Sequence, residues 1–269
     1  MSTIFRWSLL AVYTFAFVAK GAAQSYQVIT VANGGTISGT VKWSGPAPYL
    51  ARFPIVKDQQ ICDPESQKTR DLERLIIGPD GGVANTVVFI KSISSGKAFD
   101  LPLARRVLNQ RLCRYEPHIL LVPRYGALQM NNSDATLHTI RMDGAATYKL
   151  PFPLTNQTVS RDMSTPGVVN LKCNGGHAWM NAEMFVAPHP YYAVTDERGG
   201  FQLTDVPAGT YEVVAWHEGW QITGREVAFD ILTEKRVDRP IFSEPKTWER
   251  QVTLSKDTTA VVDFVISAK

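Results

Sequence analysis

The sequence predicts an all-β fold, and three observations support this prediction. Glycine and proline recur throughout the 269 residues, with 19 and 16 copies, and the segments between them are short. Several of these segments alternate apolar and polar residues or form brief apolar runs, as strands do. No long stretch repeats its apolar residues with the period of a helix. A sandwich or barrel is therefore the expected architecture.

The strand candidates follow one another along the chain and are separated by turn residues. The first, residues 37–43, alternates apolar and polar side chains. The next two, residues 75–77 and 86–90, flank the glycine-rich turn at 78–82. A short helix is expected between Glu65 and Glu73. The later candidates are the apolar runs at residues 118–122, 168–171, 184–186, 201–203, 211–216, 251–254 and 260–266.

The N-terminus is typical of a secretory signal peptide. Arg6 precedes a mostly apolar run at residues 7–18, which is short for a membrane span. Small residues at 21–23 offer a cleavage point, so residues 1–23 are expected to be removed and the mature chain to begin near Gln24. We expect a periplasmic or secreted protein without a transmembrane segment in the mature chain. An uncleaved membrane anchor is the alternative.

Charge and motifs exclude several classes of function. The formal net charge is +3, and loss of Arg6 and Lys20 with the signal would leave about +1. No basic stripe indicates nucleic-acid binding. The chain carries neither a serine hydrolase signature nor a glycine loop that cradles phosphate. We therefore expect a protein that is not an enzyme.

Cysteine chemistry points to a metal. The chain has three cysteines, and an exported protein meets an oxidising compartment in which cysteines tend to pair. One thiol is left over, and metal ligation would give it a role. We expect a disulfide between Cys62 and Cys113. The alternative is that one of them pairs with Cys173.

A thiolate, an imidazole and a thioether lie close together in the chain as Cys173, His177 and Met180. A second imidazole, His138, follows a polar turn. Thiolate suits reduced copper, imidazole suits both oxidation states, and a weak axial thioether tunes the potential. We predict one copper ion on His138, Cys173 and His177, with Met180 as the axial ligand. Met184 competes with Met180 for that role.

Two glycines make this arrangement feasible. Gly175 and Gly176 relax the backbone, so that Cys173 and His177 can point to one centre. The remaining imidazole must then come from a neighbouring strand, which would hold the loop against a rigid sheet. Three further histidines, His118, His189 and His217, are expected to be structural. The alternative is a second metal site built from them.

The order of Asn132 to His138, then Cys173, His177 and Met180, resembles the pattern of the cupredoxin family, to which plastocyanin and azurin belong. The resemblance covers about residues 115–186. It implies a Greek-key β-barrel and a type 1 copper held by these four residues. It also implies electron transfer, with the edge of His177 as the exit toward a redox partner.

Residues 192–211 resemble the carboxypeptidase regulatory-like domain, a sandwich of the transthyretin type, and residues 35–41 resemble its opening strand. The resemblance implies that the copper domain is inserted in the sandwich or packed beside it. The whole order is similar to exported bacterial plastocyanin-like proteins of the methylamine-utilisation type. The expected division is a signal peptide at 1–23, N-terminal sandwich strands at 24–95, a cupredoxin-like domain at 96–188 and the remaining sandwich at 189–269.

Two functions follow from these resemblances. The first is an exported copper protein that carries single electrons between partners such as a cytochrome and a dehydrogenase. The second is a copper-binding, cell-surface or carbohydrate-binding β-sandwich protein without a role in electron transfer.

Overall fold

The protein is built almost entirely from β-strands, which confirms the predicted fold class. The computed structural model describes residues 26–229 and 236–268. The expected signal peptide at 1–23 and the expected mature N-terminus lie outside the described residues. In the described part of the chain, no helix has the length and apolar character that a membrane crossing requires.

Over residues 26–229 and 236–268, the secondary structure comprises many short strands and two short helical turns. The helical turns are α1 at Gln59–Cys62 and a 3₁₀ helix at Leu103–Arg105. The strands are β1 Gln27–Val28, β2 Gly35–Ser44, β3 Phe53–Pro54, β4 Thr69–Arg70, β5 Val87–Ile90, β6 Ser95–Gly96, β7 Val107–Arg111, β8 Arg114–Glu116, β9 Ile119–Pro123, β10 Gly126–Asn132, β11 His138–Gly144, β12 Tyr148–Phe152, β13 Gln157–Met163, β14 Gly167–Cys173, β15 Asn181–Ala187, β16 Tyr192–Val194, β17 Gly200–Val206, β18 Gly209–His217, β19 Ile222–Phe229, β20 Arg236–Phe242, β21 Lys246–Leu254, β22 Thr259–Val261 and β23 Phe264–Ser267.

Strands β7–β15 form one unit of two sheets, here called the inserted unit. One sheet has the strand order β13-β10-β7-β8, and the other has the order β12-β11-β14-β15-β9. Alternate side chains of these strands, such as Leu128 and Met130 on β10, are fully buried in a single core. The five-stranded sheet brings the start of β11 beside the end of β14.

Strands on both sides of the inserted unit form a second unit, here called the flanking unit. Its sheets have the orders β16-β5-β18-β21 and β17-β2-β22, and β23 also pairs with β2. The chain therefore enters the flanking unit through β2 and β5, leaves it for the inserted unit, and returns at β16. Ile37, Val213 and Phe264 are among the fully buried residues of its separate core.

One part of the N-terminal region packs differently from the rest. Residues 24–95 are expected to contribute to the sandwich, and β2 and β5 do so. Phe53, Cys62 and Leu72, however, are buried in the core of the inserted unit. We call residues 53–70 the cover segment, because they lie over the site described below.

Two local predictions in this region are wrong. The helix expected between Glu65 and Glu73 is absent, because the Asp63 carboxylate accepts the amides of Gln67 and Lys68 at 2.9 and 2.6 Å and holds a turn. The strand expected at residues 75–77 is reduced to a single bridge between Ile77 and Val83.

Candidate metal centre

Three of the four predicted ligands meet at one point in the core of the inserted unit. The sulfur of Cys173 lies 3.8 Å from Nδ1 of His138 and 3.8 Å from Nδ1 of His177. All three side chains are fully buried, and their candidate ligand atoms lie within 4.8 Å of one another. The chain therefore places one thiol and two imidazoles around a common centre.

These distances fit a metal ion between the three atoms. Bonds of about 2.3 Å to sulfur and about 2.1 Å to nitrogen, at an angle of about 120°, separate the two ligand atoms by about 3.8 Å. A tetrahedral angle would bring them closer, to about 3.6 Å. The donor set and the near-trigonal spacing match the two-histidine, one-cysteine arrangement that copper uses for electron transfer.

The sheet explains how ligands distant in sequence come together. Cys173 at the end of β14 pairs with Ile140 on β11, so His138 lies at the same end of the sheet. The Asn174 amide donates to the Thr139 carbonyl at 2.9 Å and continues this contact into the loop. The ligand loop is therefore anchored on β11.

The turn before His138 is organised by the side chain of Asn132. Its amide nitrogen lies 3.1 to 3.2 Å from the carbonyl oxygens of Thr136, Phe152 and Leu154. Its oxygen accepts the Asp134 amide at 3.0 Å. Asn132 is fully buried, so these bonds satisfy its polar atoms and fix the approach to His138.

Both predicted glycines are required where they stand. Gly176 has a φ of +91°, a conformation that residues with a Cβ rarely adopt. A Cβ on Gly175 would lie 2.8 Å from the Leu137 carbonyl oxygen and 3.4 Å from the Cys173 sulfur. The Gly175 amide also donates to that sulfur at 3.3 Å.

A carboxylate holds the far nitrogen of each imidazole. His138 Nε2 lies 2.8 Å from Asp134, and His177 Nε2 lies 2.9 Å from Asp58. A proton on Nε2 leaves Nδ1 of each ring free to bind a metal. The same contacts orient the rings, so the ligand geometry is set by the protein before an ion arrives.

The electrostatics of the centre favour a thiolate. Burial opposes ionisation of Cys173, but the contacts with His138 and His177 outweigh it and hold the pKa of the thiol well below its usual value. Burial likewise opposes charge on His138, yet Asp134 and Cys173 raise the pKa of this imidazole to about 9. Both shifts favour a negative sulfur beside a positive ring in the metal-free centre.

The expected solvent-exposed edge of His177 is absent. Asp58 of the cover segment bonds to the ring, and Lys57 Nζ donates to the Gly175 carbonyl at 2.7 Å. Trp179 is itself buried and packs edge-on against the ring at 5.4 Å, so it covers another part of the imidazole. The cover segment therefore closes the side on which an exit was expected.

Met180 and Met184 are both buried in the same core as Cys173. The Met180 amide donates to the His177 carbonyl at 3.0 Å, which closes the turn of the ligand loop. Met184 lies within β15, as expected for a core residue. The axial role of Met180 stays a prediction.

The expected disulfide between Cys62 and Cys113 is present, and Cys173 is a free, buried thiol. Cys62 ends helix α1 in the cover segment, whereas Cys113 lies in the turn between β7 and β8. The bridge therefore ties the cover segment to the inserted unit beside the centre.

Arg239 on β20 also contacts the centre, and no local motif points to it. Its Nη2 donates to the Cys173 carbonyl at 2.6 Å and to Asn174 Oδ1 at 3.0 Å. The pair β19–β20 thereby reaches the inserted unit from the C-terminal part of the chain. The sequence gives no sign of Asp58 for the same reason, since neither residue stands in a motif with the ligands.

The remaining histidines occupy structural positions. His118 Nε2 bonds to the fully buried Glu218, which also pairs with Arg74 at 2.6 Å. His217 Nδ1 lies 2.7 Å from the Glu218 carbonyl. Burial lowers the pKa of His189 to about 4, so this ring is neutral. Within the described residues, none of the three joins a group with metal-binding spacing.

One family model matches a part of the chain. Residues 190–240 match a family model described as BOS complex subunit NOMO1-like, second beta sandwich domain. No curated protein sequence matches the chain significantly.

Solved structures similar to the chain include copper proteins. A purple cupredoxin from Nitrosopumilus maritimus is 17% identical, with a TM-score of 0.27, and the match covers 30% of this chain and 98% of that chain. An oxidised mutant of amicyanin is 22% identical with a TM-score of 0.29, and the match covers 37% and 98%. The copper-containing nitrite reductase from Thermus scotoductus SA-01 is 14% identical with a TM-score of 0.29, and the match covers 36% of this chain and 25% of that chain.

Proposed function

We propose that this protein is an exported type 1 copper protein that carries single electrons and catalyses no reaction of its own. The observation that carries the proposal is the meeting of His138, Cys173 and His177, with both sulfur-to-nitrogen distances at 3.8 Å. A bound copper ion would supply a centre that gains and loses one electron.

The residues around the ligands fit this role. Asp134 and Asp58 each fix one ring, and the Gly175 amide donates to the sulfur. A site that is held rigidly before and after electron transfer needs little rearrangement. Full burial of the three ligands also excludes water from the centre.

The route to a redox partner would pass through Asp58. His177 Nε2 bonds to this carboxylate, whose side chain is 25% exposed. One hydrogen bond therefore separates the ring from solvent. We propose that the partner, such as a cytochrome or a dehydrogenase, docks on the surface formed by residues 57–60.

Copper titration of the purified mature protein tests the proposal. The wild-type protein should take up one equivalent, gain an intense visible absorption from the copper–thiolate bond, and show a reversible one-electron potential. Cys173→Ser should lose the absorption, whereas Met184→Leu should keep it. A colourless wild-type protein that binds zinc as well as copper would contradict the proposal.

The second candidate is a protein that binds copper and retains or delivers it without electron transfer. The closed side of His177 favours this candidate, because it leaves no exposed ligand edge for electron transfer. Reversible and fast reduction by a cytochrome would exclude it. Transfer of copper to a chelator without any reversible potential would support it.

A further inference from the structure

A second group of soft ligands lies against the first. The two sulfur atoms of Cys62 and Cys113 and a ring nitrogen of His177 all lie within 4.8 Å of one another. The sulfur atoms are joined in a disulfide in this structure. We propose that, when this disulfide is reduced, the two thiols and His177 form a second site that binds a soft monovalent ion such as Cu(I).

Hydrogen bonds that do not involve the sulfur–sulfur bond also hold the backbone of the two cysteines. The guanidinium of Arg70 donates to the carbonyls of Cys62 and Cys113 at 2.5 and 2.7 Å. The Cys62 amide donates to the Asp58 carbonyl, and the Cys113 amide donates to the Asp134 carboxylate, both at 2.8 Å. The two thiols of the reduced protein would therefore remain beside His177.

The local charge suits thiolate ligands. Arg70 is 6% exposed, and its hydrogen bonds to the described residues go to the carbonyls of Cys62, Leu112 and Cys113. Its positive charge is thus shared with neutral acceptors beside the two cysteines. A buried cation at this place stabilises thiolates over thiols.

The chemical step balances with a dithiol as the reductant. The dithiol gives two electrons and two protons to the disulfide, the sulfur–sulfur bond breaks, and the reductant becomes a disulfide itself. Binding of the ion then displaces protons from the two thiols. An oxidised dithiol reverses the sequence and restores the bridge.

The position of the two cysteines suggests that they help to load the copper centre at Cys173. Cys62 and Cys113 are buried, but residues 64–68, which follow helix α1, are exposed. An opening of the cover segment would therefore reach this pair before it reaches Cys173. His177 belongs to both groups, so its ring lies between the pair and the centre at Cys173.

Native mass spectrometry with Ag(I) as the probe tests the site directly. The mature Cys173→Ser protein is titrated in its disulfide form and again after reduction with a phosphine that is then removed. The reduced form should hold one ion, and the disulfide form should hold none. The matched control, Cys62→Ser/Cys113→Ser/Cys173→Ser, should hold none under either condition.

Equal binding by the reduced Cys173→Ser protein and the triple variant would overturn the proposal. If Cys173→Ser does not fold, Cys173→Ala replaces it in both variants, with the same expected results. Adding His177→Phe to Cys173→Ser should weaken binding at least tenfold, and unchanged binding would remove His177 from the site. None of these results depends on a copper ion at Cys173, so they are separate from the test of electron transfer.

Discussion

The two imidazoles of the centre are held by carboxylates from different parts of the chain. Asp134 belongs to the turn that leads into His138 and lies four residues before it. Asp58 belongs to the cover segment and is 119 residues away from His177 in sequence. The His138 side is therefore specified by local sequence, whereas the His177 side depends on a distant segment tied down by a disulfide.

Removal of the disulfide should lower the stability of the protein more than any other change proposed here, and it should act mainly on the His177 side of the centre. The bridge closes a loop with a sequence separation of 51 residues, so Cys62→Ala/Cys113→Ala should lower the free energy of unfolding by about 4 kcal/mol. Denaturant unfolding of the metal-free protein measures this loss. Amide exchange should accelerate in residues 57–62 more than in residues 132–138. Equal acceleration in both would show that the disulfide does not hold the His177 side in particular.

Asp134→Asn should disturb the local side of the centre strongly. This carboxylate is 4% exposed and accepts the amides of Leu112 and Cys113 as well as the His138 proton. An amide cannot accept all three, so we expect a loss of about 2–3 kcal/mol in the free energy of unfolding. Asp143→Asn, at the other end of β11, is the control and should cost much less.

The His138 side of the centre should make the stability of the metal-free protein depend on pH. The pKa of His138 is about 9, above its ordinary value of 6.5, so its protonated ring stabilises the fold fully below about pH 6.5. This stabilisation is lost as the pH rises through about 9, and it amounts to at most about 3 kcal/mol. Unfolding titrations of wild-type protein and Asp134→Asn should therefore differ less at high pH, and a constant difference would refute this assignment.

Asp58→Asn should have the smallest effect on stability and a clear effect on the metal. Asp58 is partly exposed, so we expect a loss of about 1 kcal/mol or less. The ring of His177 would lose its carboxylate partner, and copper affinity should fall roughly 10-fold or more. Asp63→Asn is the matched control, because Asp63 holds a turn of the same segment without touching His177. Equal copper affinity in the two variants would show that Asp58 does not support the centre.

Much of the centre could be predicted because its ligands lie in short sequence motifs. Cys173 and His177 share one loop with two glycines, and His138 follows a turn that begins at Asn132. Their residue types identify a soft metal without knowledge of the fold. The disulfide between Cys62 and Cys113 could be predicted once the remaining thiol had a separate role.

The parts that could not be predicted depend on tertiary contacts. Asp58 and Arg239 reach the centre from opposite ends of the chain, and neither lies in a motif with the ligands. The helix expected between Glu65 and Glu73 is wrong because Asp63 bonds to the backbone of its own turn. The expected exposure of His177 is wrong because the cover segment lies over it.

The division of the chain into domains could also be predicted only in part. The pieces of the flanking unit could be recognised on both sides of the inserted unit, through residues 35–41 and 192–211. The packing of Phe53 and Cys62 against the inserted unit could not, because their local sequence does not say which core they join. Domain limits at residues 95 and 188 stay a prediction.

X-ray absorption at the copper edge, on the loaded mature protein, tests the central claim most directly. The wild-type centre should show one short copper–sulfur bond and two copper–nitrogen bonds from imidazole. A copper environment made only of nitrogen and oxygen, unchanged in Cys173→Ser, would contradict the assignment of Cys173, His138 and His177 as its ligands.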